Sequence, residues 1–175
     1  MKSDFKYFEI IVVDNNSSDN SHLECKKKYD NVKLIENKKN LGYCEGNNIG
    51  LRQAQGEFIV ILNPDTIVES KWLNELIKGF EKFGDGLFQP KLLTIDNHRI
   101  IGSAGNMINI FGFGYSRGRG MEDKGQFNND EQISYASGTC LFTSKKVLEK
   151  IGMLDPFLFA YHDDLELGWR GIELG

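Results

Sequence analysis

The chain has little cysteine, histidine or proline, no long apolar run and no excess of basic charge. It contains three residues of each of those three types among 175. The cysteines stand far apart, at Cys25, Cys44 and Cys140, and this odd number and wide spacing favour neither a disulfide framework nor a zinc site. We therefore expect free thiols and a reducing, cytoplasmic environment.

The missing apolar runs bear on the relation to membranes. Residues 1–7 lack the apolar segment of a signal peptide, and no apolar stretch of the chain is long enough to span a bilayer. A membrane-bound substrate or partner is compatible with this composition.

The excess of acidic over basic residues disfavours a nucleic-acid partner. The formal net charge is −4 and the isoelectric point is near 5.4, so we expect no nucleic-acid partner. Apolar residues make up 40% of the chain, which is ordinary for a globular protein, and the length predicts a single domain over residues 1–175.

One apolar stretch stands at the centre of the sequence. Phe58–Leu62 is a continuous apolar run, which predicts a strand buried on both faces, as in the middle of a parallel sheet. Proline removes a ladder donor and an unpaired carboxylate resists burial, so the strand must end at Asn63-Pro64-Asp65. Asn63 and Asp65 are therefore predicted just past the carboxyl end of a central strand, where open α/β sheets bind ligands. A simple turn is the alternative, since Asn-Pro-Asp is common in turns.

The first half of the chain alternates strand-like and helix-like segments. This alternation favours an α/β fold with a mostly parallel, doubly wound sheet flanked by helices. Ser17 or Ser18 is the expected cap of the first helix, Ser70 is expected to open the third, and Gly84 is expected to end it. The predicted strands are 8–13, 32–36 and 58–62, and the predicted helices are 18–29, 43–55 and 70–83.

The second half has a different composition. Residues 110–125 combine glycines with aromatic residues and arginines without periodicity, which predicts a mobile loop. Around it we expect strands at 87–93, 100–101 and 137–142, a helix at 144–151, a turn at Asp155-Pro156 and a last helix that starts within 161–170.

Acidic residues occur at three places that a sheet would bring to one edge. Asp14 and Asp19 follow the first strand, Asp65 follows the central strand, and Asp163, Asp164 and Glu166 open the last helix. Helix capping explains the last group by itself, because carboxylates interact favourably with the positive end of the helix dipole. The three groups together favour a shared site for a hard cation, Mg²⁺ or Mn²⁺ carried with a diphosphate, rather than a zinc site.

Five segments resemble, in order, the motifs of family 2 glycosyltransferases. They are similar especially to the rhamnosyltransferase-like branch, in which Asn-Pro-Asp replaces the commoner Asp-x-Asp. One such motif is weak evidence, whereas five in the family's order across almost the whole chain are specific. The segments are Val12–Asp19, Asn40–Gly50, Leu62–Thr66, Ser137–Cys140 and Tyr161–Arg170.

This resemblance implies a GT-A nucleotide-diphosphosugar transferase fold. It also implies inverting transfer of a sugar from a nucleotide-diphosphate sugar donor to a glycan or lipid-linked acceptor, in polysaccharide biosynthesis. The nucleotide-binding half would cover about 1–85, and the acceptor and catalytic half about 86–175. A lipid-linked acceptor or a membrane-bound partner would bring the protein to the inner face of the membrane.

The same resemblance implies roles for particular residues. The nucleotide would contact Asp14, Asn16, Gly42, Asn47, Asn48 and Asp65. Asp65 would hold Mg²⁺ or Mn²⁺, with Asn63 in the place of the family's other acid, and the metal would neutralise charge on the leaving diphosphate. Asp164 would be the general base that takes the proton of the acceptor hydroxyl, with Asp163 as its partner.

The chain departs from the family pattern at its ends and in its acidic pair. Relatives begin with one more strand and helix before the strand at 8–13 and continue beyond Tyr161–Arg170, so the chain looks shortened at both ends. The pair at Asp163-Asp164 replaces Glu-Asp, and Glu166 replaces an aspartate. Both changes keep the charge and alter the reach of the carboxylate.

Two other functions stay open at this point. A non-catalytic domain that binds nucleotide sugars fits the missing first strand, whereas the presence of Asp65 and Asp164 disfavours it. A nucleotidyltransferase would also use metal-bound acids on a doubly wound sheet. It would need a glycine-rich, basic phosphate loop after its first strand, where this chain has the acidic segment Asp14–Asp19.

Overall fold

The computed structural model describes residues 4–174, which form an α/β arrangement. The strands are β1 (Ile10–Asp14), β2 (Val32–Glu36), β3 (Phe58–Leu62), β4 (Leu92–Leu93), β5 (Ile101–Ser103), β6 (Asn106–Ile108), β7 (Gly114–Ser116) and β8 (Cys140–Ser144). The helices are α1 (Ser21–Lys28), α2 (Gly42–Gln53), α3 (Trp72–Phe83), α4 (Lys145–Ile151) and α5 (Asp163–Leu174), with a short 3-10 helix at Pro156–Leu158.

The first three elements form a parallel βαβ unit. β1 and β2 pair in parallel from Ile10 opposite Val32 to Asp14 opposite Glu36. Parallel neighbours need a crossover connection, and α1 supplies it. The predicted strands and helix of this region are confirmed, with β1 beginning two residues later than expected.

The sheet is less parallel than the alternation in sequence suggests. β3 pairs with β8 in the antiparallel sense, as do β4 with β5 and β6 with β7. The last two of these pairs have short connections, which allow only antiparallel neighbours. β1 and β3 nevertheless begin at the same end, because the carboxylate of Glu9 accepts hydrogen bonds from the backbone N–H groups of Gln55 (2.6 Å) and Gly56 (3.2 Å).

Strand β8 separates the two parts of the hydrophobic core. All five of its residues are buried. Leu141 packs in one cluster with Ile61 and Ile151, on the side of α4 and α5. Phe142 packs in the other, where its ring stacks on that of Phe58 at a centroid distance of 5.4 Å. In β3 the residues alternate between buried and half-buried, so the predicted burial on both faces is complete on one face only.

The helix ends correct two details of the prediction. α1 begins after Asn20, whose backbone is left-handed (φ 59°), and neither Ser17 nor Ser18 caps it. α3 begins at Trp72 rather than at Ser70. Gly84 does end α3 with a φ of 80°, and the side chain of Ser144 caps α4 by accepting the N–H of Val147.

The loop predicted at residues 110–125 is wrong in its first half, which belongs to a hairpin, and its mobility stays a prediction. β6 and β7 are joined by a turn in which Asn109 Oδ1 accepts the N–H groups of Phe111 (2.9 Å) and Phe113 (3.1 Å). Gly114 in β7 allows close packing, because a Cβ atom there would lie 2.4 Å from the hydroxyl oxygen of Tyr135. The predicted strand at 87–93 is also reduced, to β4 and an isolated bridge between Phe88 and Phe142.

The described helices bear on membrane topology as well. Within residues 4–174, no helix combines the length and the apolar character that crossing a bilayer requires.

Candidate active site

The loop after β1 is organised by Asp14. This residue is 6% exposed, and its carboxylate accepts the backbone N–H groups of Asn16 (3.0 Å) and Ser17 (3.1 Å). Burial alone would raise the pKa of Asp14, but the hydrogen bonds from Ser17, the nearby His22 and the N–H of Asn16 together lower it. Asp14 is therefore a buried anion that holds its own loop in shape.

The two asparagines after Asp14 have different roles, and only one of them was predicted. Asn16 is exposed and left-handed (φ 67°), at the turn that Asp14 closes. Asn15, which sequence reasoning missed, donates from Nδ2 to the carbonyl of Gly42 (2.9 Å) and accepts at Oδ1 from Asn37 (2.9 Å). It thereby ties the ends of β1 and β2 to the start of α2. The Asn-Asn sequence does not show which asparagine has which role, because the two differ in backbone angle and not in residue type.

The start of α2 is held close to the segment before α5. Gly42 has a φ of 80°, and a Cβ atom there would lie 2.5 Å from the carbonyl oxygen of Phe159. That carbonyl accepts the N–H of Cys44 at 3.1 Å. Only glycine satisfies both the backbone angle and the close approach.

The two predicted asparagines of α2 point to different surroundings. Asn47 is half-buried, lines the groove between β1 and β3, and donates to the carbonyl of Tyr43 (2.9 Å). Asn48 is 2% exposed, donates to the carbonyl of Leu154 (2.8 Å) and accepts the N–H of the same residue (3.2 Å). Asn48 thus joins α2 to the segment after α4, and its nucleotide contact stays a prediction.

Asn63 and Asp65 lie in the turn after β3, as the sequence predicts. The backbone N–H of Asn63 donates to the carbonyl of Thr139 (3.0 Å), and its carbonyl accepts the hydroxyl of Thr66 (2.7 Å). Asp65 is exposed, and its carboxylate makes no hydrogen bond or ion pair with any other residue in the described part of the chain.

The adjacent acids at the start of α5 differ in burial. Asp164 is half-buried, and its Oδ2 accepts the backbone N–H of Gly138 (3.1 Å). Asp163 is 5% exposed, and burial, followed by repulsion from Asp164, raises its pKa. Tyr43, missed by sequence reasoning, donates its hydroxyl to the carbonyl of Gly138 (2.6 Å), and burial followed by the charges of Asp163 and Asp164 raises the pKa of Tyr43.

The segment before α5 adopts unfavourable backbone angles. Phe159, Tyr161 and His162 are left-handed, with φ of 57°, 69° and 62°. Such angles in residues other than glycine cost energy and occur preferentially at functional sites. They direct the chain so that the first turn of α5 faces the loop at 137–139.

The predicted shared cation site of the three acidic groups is wrong. No cluster of three or more histidine, cysteine, aspartate or glutamate side chains suited to a metal ion exists among residues 4–174. Asp14 is engaged by its own loop, and Glu166 is paired with Arg170, whose Nη2 donates to Glu166 Oε2 at 2.6 Å.

The donor set at the end of β3 fits a cation that is bound mainly by another group. Asp65 offers an exposed carboxylate without a competing partner, and Asn63 lies two residues before it. Mg²⁺ and similar hard cations are often held by one or two protein oxygens together with substrate phosphates. Asn63 and Asp65 fit this kind of site and do not form a complete protein cage.

The thiols next to these residues are chemically inert. Burial, followed by the charge of Asp163, raises the pKa of Cys44 to about 11, and burial raises the pKa of Cys140 to about 12. Neither is a nucleophile at neutral pH.

The fold and these acids define an α/β protein with its candidate site at the carboxyl ends of β1 and β3. The sequence model of glycosyl transferase family 2 matches residues 2–152, so the chain belongs to glycosyltransferase family 2. The predicted family and the GT-A fold are thereby confirmed.

A characterised relative shows how similar the chain is to other members of the family and how much of their length it covers. The chain is 28% identical over 166 residues to the low-salt glycan biosynthesis hexosyltransferase Agl10 of Haloferax volcanii, a match that covers 93% of this chain and 52% of Agl10. It thus spans about half the length of that relative.

Two crystal structures show the same fold. S. aureus TarS, residues 1–349, is similar with a TM-score of 0.67 at 20% identity, and the match covers 97% of this chain and 48% of the TarS chain. GalNAc-T7 with UDP, GalNAc and Mn²⁺ is similar with a TM-score of 0.70 at 16% identity, covering 93% of this chain and 34% of the other.

Proposed function

We propose that the chain transfers a sugar, with inversion, from a nucleotide-diphosphate sugar to a hydroxyl group of a glycan or lipid-linked acceptor. The observation that carries this proposal is the shared loop at Gly138-Thr139. Its carbonyl at Thr139 bonds Asn63 at the end of β3, and its N–H at Gly138 bonds the carboxylate of Asp164. One dipeptide therefore links the candidate diphosphate side to the candidate base.

The donor side of the proposal rests on the ends of β1 and β3. The nucleotide would lie against the Asp14–Asn16 loop, Gly42 and Asn47, with its diphosphate toward Asp65. Asn15 supports this surface by bonding to Gly42 and Asn37. Backbone N–H groups and amides in this region offer donors to phosphate and base oxygens.

Asp65 would hold a divalent cation, Mg²⁺ or Mn²⁺, with help from Asn63. Bound there, the cation supplies positive charge that stabilises the departing nucleoside diphosphate. GalNAc-T7, a protein of the same fold, was crystallised with Mn²⁺ and UDP, which supports this part of the proposal.

Asp164 would take the proton of the attacking hydroxyl. Direct attack by an activated hydroxyl inverts the anomeric carbon, because no covalent sugar–enzyme intermediate intervenes. The N–H of Gly138 fixes one carboxylate oxygen of Asp164, and Tyr43 fixes the same residue, Gly138, through its carbonyl. The base is therefore held by two elements of the fold.

A ligand panel tests the donor side, with unfolding temperature as the readout. UDP-, dTDP- and GDP-sugars are added with and without Mn²⁺, and a bound donor raises the midpoint in proportion to occupancy. Asp65→Ala should abolish the Mn²⁺-dependent rise and leave the unliganded midpoint unchanged, since Asp65 is exposed and makes no contact through its carboxylate. Asp96→Ala, which removes the same charge from an exposed turn, should behave like the parent protein.

Three outcomes would contradict the proposal. If no nucleotide sugar raises the midpoint, the donor site is absent. If Asp65→Ala unfolds the free protein, Asp65 is a structural turn residue. If donors bind and no acceptor is ever glycosylated, the chain is a binding domain.

A further inference from the structure

A buried group of polar side chains lies beside the loop at 137–139. Its members are Gln89, Ser103, Asn106 and Ser116, and we call it the amide cluster. Ser103 is 5% exposed and Asn106 is 3% exposed, whereas Gln89 and Ser116 are half-buried. Polar groups that are buried in this way cost free energy unless they form hydrogen bonds. The bonds of the amide cluster therefore show what it holds together.

Three of these side chains form a closed ring of hydrogen bonds. Gln89 Nε2 donates to Ser103 Oγ (2.9 Å), and Ser103 Oγ donates to Asn106 Oδ1 (3.0 Å). Asn106 Nδ2 donates to Gln89 Oε1 (3.3 Å) and closes the ring. Asn106 Oδ1 also accepts the hydroxyl of Ser116 in β7 (2.7 Å). Each amide nitrogen donates and each amide oxygen accepts, so the ring fixes the orientation of both amides.

Gln89 connects the amide cluster to the candidate base. Its Oε1 accepts the backbone N–H of Ser137 at 2.7 Å, across 48 residues of the chain. Ser137 Oγ in turn accepts the N–H of Thr139 (3.2 Å). Between these two residues, Gly138 donates its N–H to Asp164 Oδ2 (3.1 Å). Gln89 therefore holds the first residue of the loop that contacts Asp164.

Backbone hydrogen bonds fix the amide cluster on both sides of this loop. Phe88, next to Gln89, exchanges two hydrogen bonds with Phe142 of β8, at 2.8 and 2.9 Å. The carbonyl of Asn106 accepts the N–H groups of Ser134 (2.9 Å) and Tyr135 (3.2 Å), which precede the loop. The side chain of Gln89 thus starts from a backbone that is tied to the strand that follows the loop.

We infer that Gln89 is a positioning residue for the proposed general base. Its Oε1 fixes Ser137, and the neighbouring N–H of Gly138 then holds the carboxylate of Asp164 in one orientation. This inference rests on the proposed role of Asp164 in sugar transfer. Without the acceptor at position 89, the N–H of Ser137 loses its partner and the loop shifts to find another. A displacement of about 1 Å at a reacting group can lower a rate on the order of 10²-fold.

Three variants separate positioning from stability. Gln89→Met removes the acceptor and keeps a side chain of similar length, whereas Gln89→Glu keeps carboxylate oxygens for Ser137 and Asn106. Ser103→Ala removes two hydrogen bonds of the amide cluster and leaves the bond between Gln89 and Ser137 in place. Gln89→Met and Ser103→Ala should both unfold at lower urea concentration, because each leaves buried polar groups without partners.

Sugar transfer should respond to one of these variants only. Gln89→Met should lower kcat on the order of 10- to 100-fold and leave the KM for the donor unchanged, because the lost bond acts on the base and not on donor binding. Gln89→Glu should restore kcat, and Ser103→Ala should keep it. Failure of Gln89→Glu to restore transfer, or an equal loss of kcat in Ser103→Ala, would overturn the inference.

Amide hydrogen exchange gives a second readout that needs no sugar. In Gln89→Met the amides of Ser137 and Gly138 should exchange faster than in the parent and in Gln89→Glu, while the amides of β8 keep their rates. Unchanged exchange at Ser137 and Gly138 would also overturn the inference. A parent protein that transfers no sugar would refute the proposed function, and the exchange rates would then decide alone whether Gln89 fixes the loop.

Discussion

Asp163 and Asp164 are neighbours that the fold separates by burial. Asp164 is half-buried and accepts the N–H groups of Gly138 and Leu165, whereas Asp163 is enclosed beside Tyr43 and Cys44. A base must be reached by the acceptor hydroxyl, so the less buried residue suits that role. The enclosed residue pays a desolvation cost and is better suited to support.

Asp164→Asn should separate binding from transfer. The amide keeps the shape of the side chain and removes its basicity, so donor binding should persist while the transfer rate falls on the order of 10²- to 10⁴-fold. The measurement is release of nucleoside diphosphate in the presence of acceptor, next to the thermal shift with donor.

Asp96→Asn serves as the matched control for that measurement, because Asp96 is exposed. Parent-like transfer by Asp164→Asn would move the base elsewhere, to Asp163 or Glu166. Loss of donor binding would make Asp164 a ligand of the donor.

Asp163 should make stability depend on pH. Its folded-state pKa lies above the unfolded value of 3.8, so its contribution is greatest below about pH 4 and is lost as pH rises through the folded-state pKa. Asp163→Asn removes the buried charge and should raise Tm at pH 7, with a difference that shrinks toward pH 4. Thermal melts across that range check it, and a variant with lower Tm at pH 7 would show that the ionised group is stabilised by partners.

Pairs of neighbouring residues of one type show what the sequence could predict about the candidate site and what it could not. The motifs led to Asp14, Asn63, Asp65 and Asp164, and the structure has each at a strand or helix end. Burial and backbone angle distinguish Asp163 from Asp164 and Asn15 from Asn16. Burial and backbone angle both depend on contacts made by distant segments, so no local sequence pattern predicts them.

At the scale of elements, the packing of α5 depends on Gly168, which lies against the backbone of another segment. A Cβ atom on Gly168 would lie 2.2 Å from Cβ of Tyr135 and 2.9 Å from the carbonyl oxygen of Ser134, whereas one on Gly171 would meet only a side-chain carbon of Leu87 at 3.9 Å. At Gly168, α5 therefore lies directly against the backbone that precedes β8. At Gly171 it has room for a side chain.

Substitution of these two glycines by alanine should have opposite effects. Gly168→Ala should destabilise the protein by about 1–3 kcal/mol through overpacking and displace Asp164 from the N–H of Gly138. Gly171→Ala should be neutral or stabilising by up to about 1 kcal/mol, since alanine favours helices. Urea unfolding measures both, and equal free energies for the two variants would mean that α5 shifts freely.

Elements with strong local signals were predicted well. The bounds of β2 and β3 agree with the sequence, because apolar runs flanked by turn residues define strands locally. The β6–β7 hairpin was missed, since the close packing at Gly114 involves Tyr135 and Leu165, which lie far along the chain. The alternation of strands and helices in the sequence likewise could not predict that β3 pairs with β8 in the antiparallel sense.

At the scale of the whole molecule, the two sheets should differ in local stability. β8 is fully buried between two clusters, whereas four residues of β1 are half-buried and β1 pairs with one strand, β2, among residues 4–174. Amides of β8 should therefore exchange with solvent more slowly than those of β1 under native conditions. Mass spectrometry of exchanged peptides checks this order, and equal protection would indicate that both sheets open as one cooperative unit.

The bonds that fix α2 also set an order of events during synthesis. Asn48 is held by Leu154, 106 residues later in the chain, and Cys44 is held by Phe159. At about 5–20 residues per second, the ribosome delivers Leu154 roughly 5 to 20 s after Asn48. Throughout that interval α2 lacks these two contacts, so the nascent chain carries the residues proposed for the donor side before their final geometry is complete.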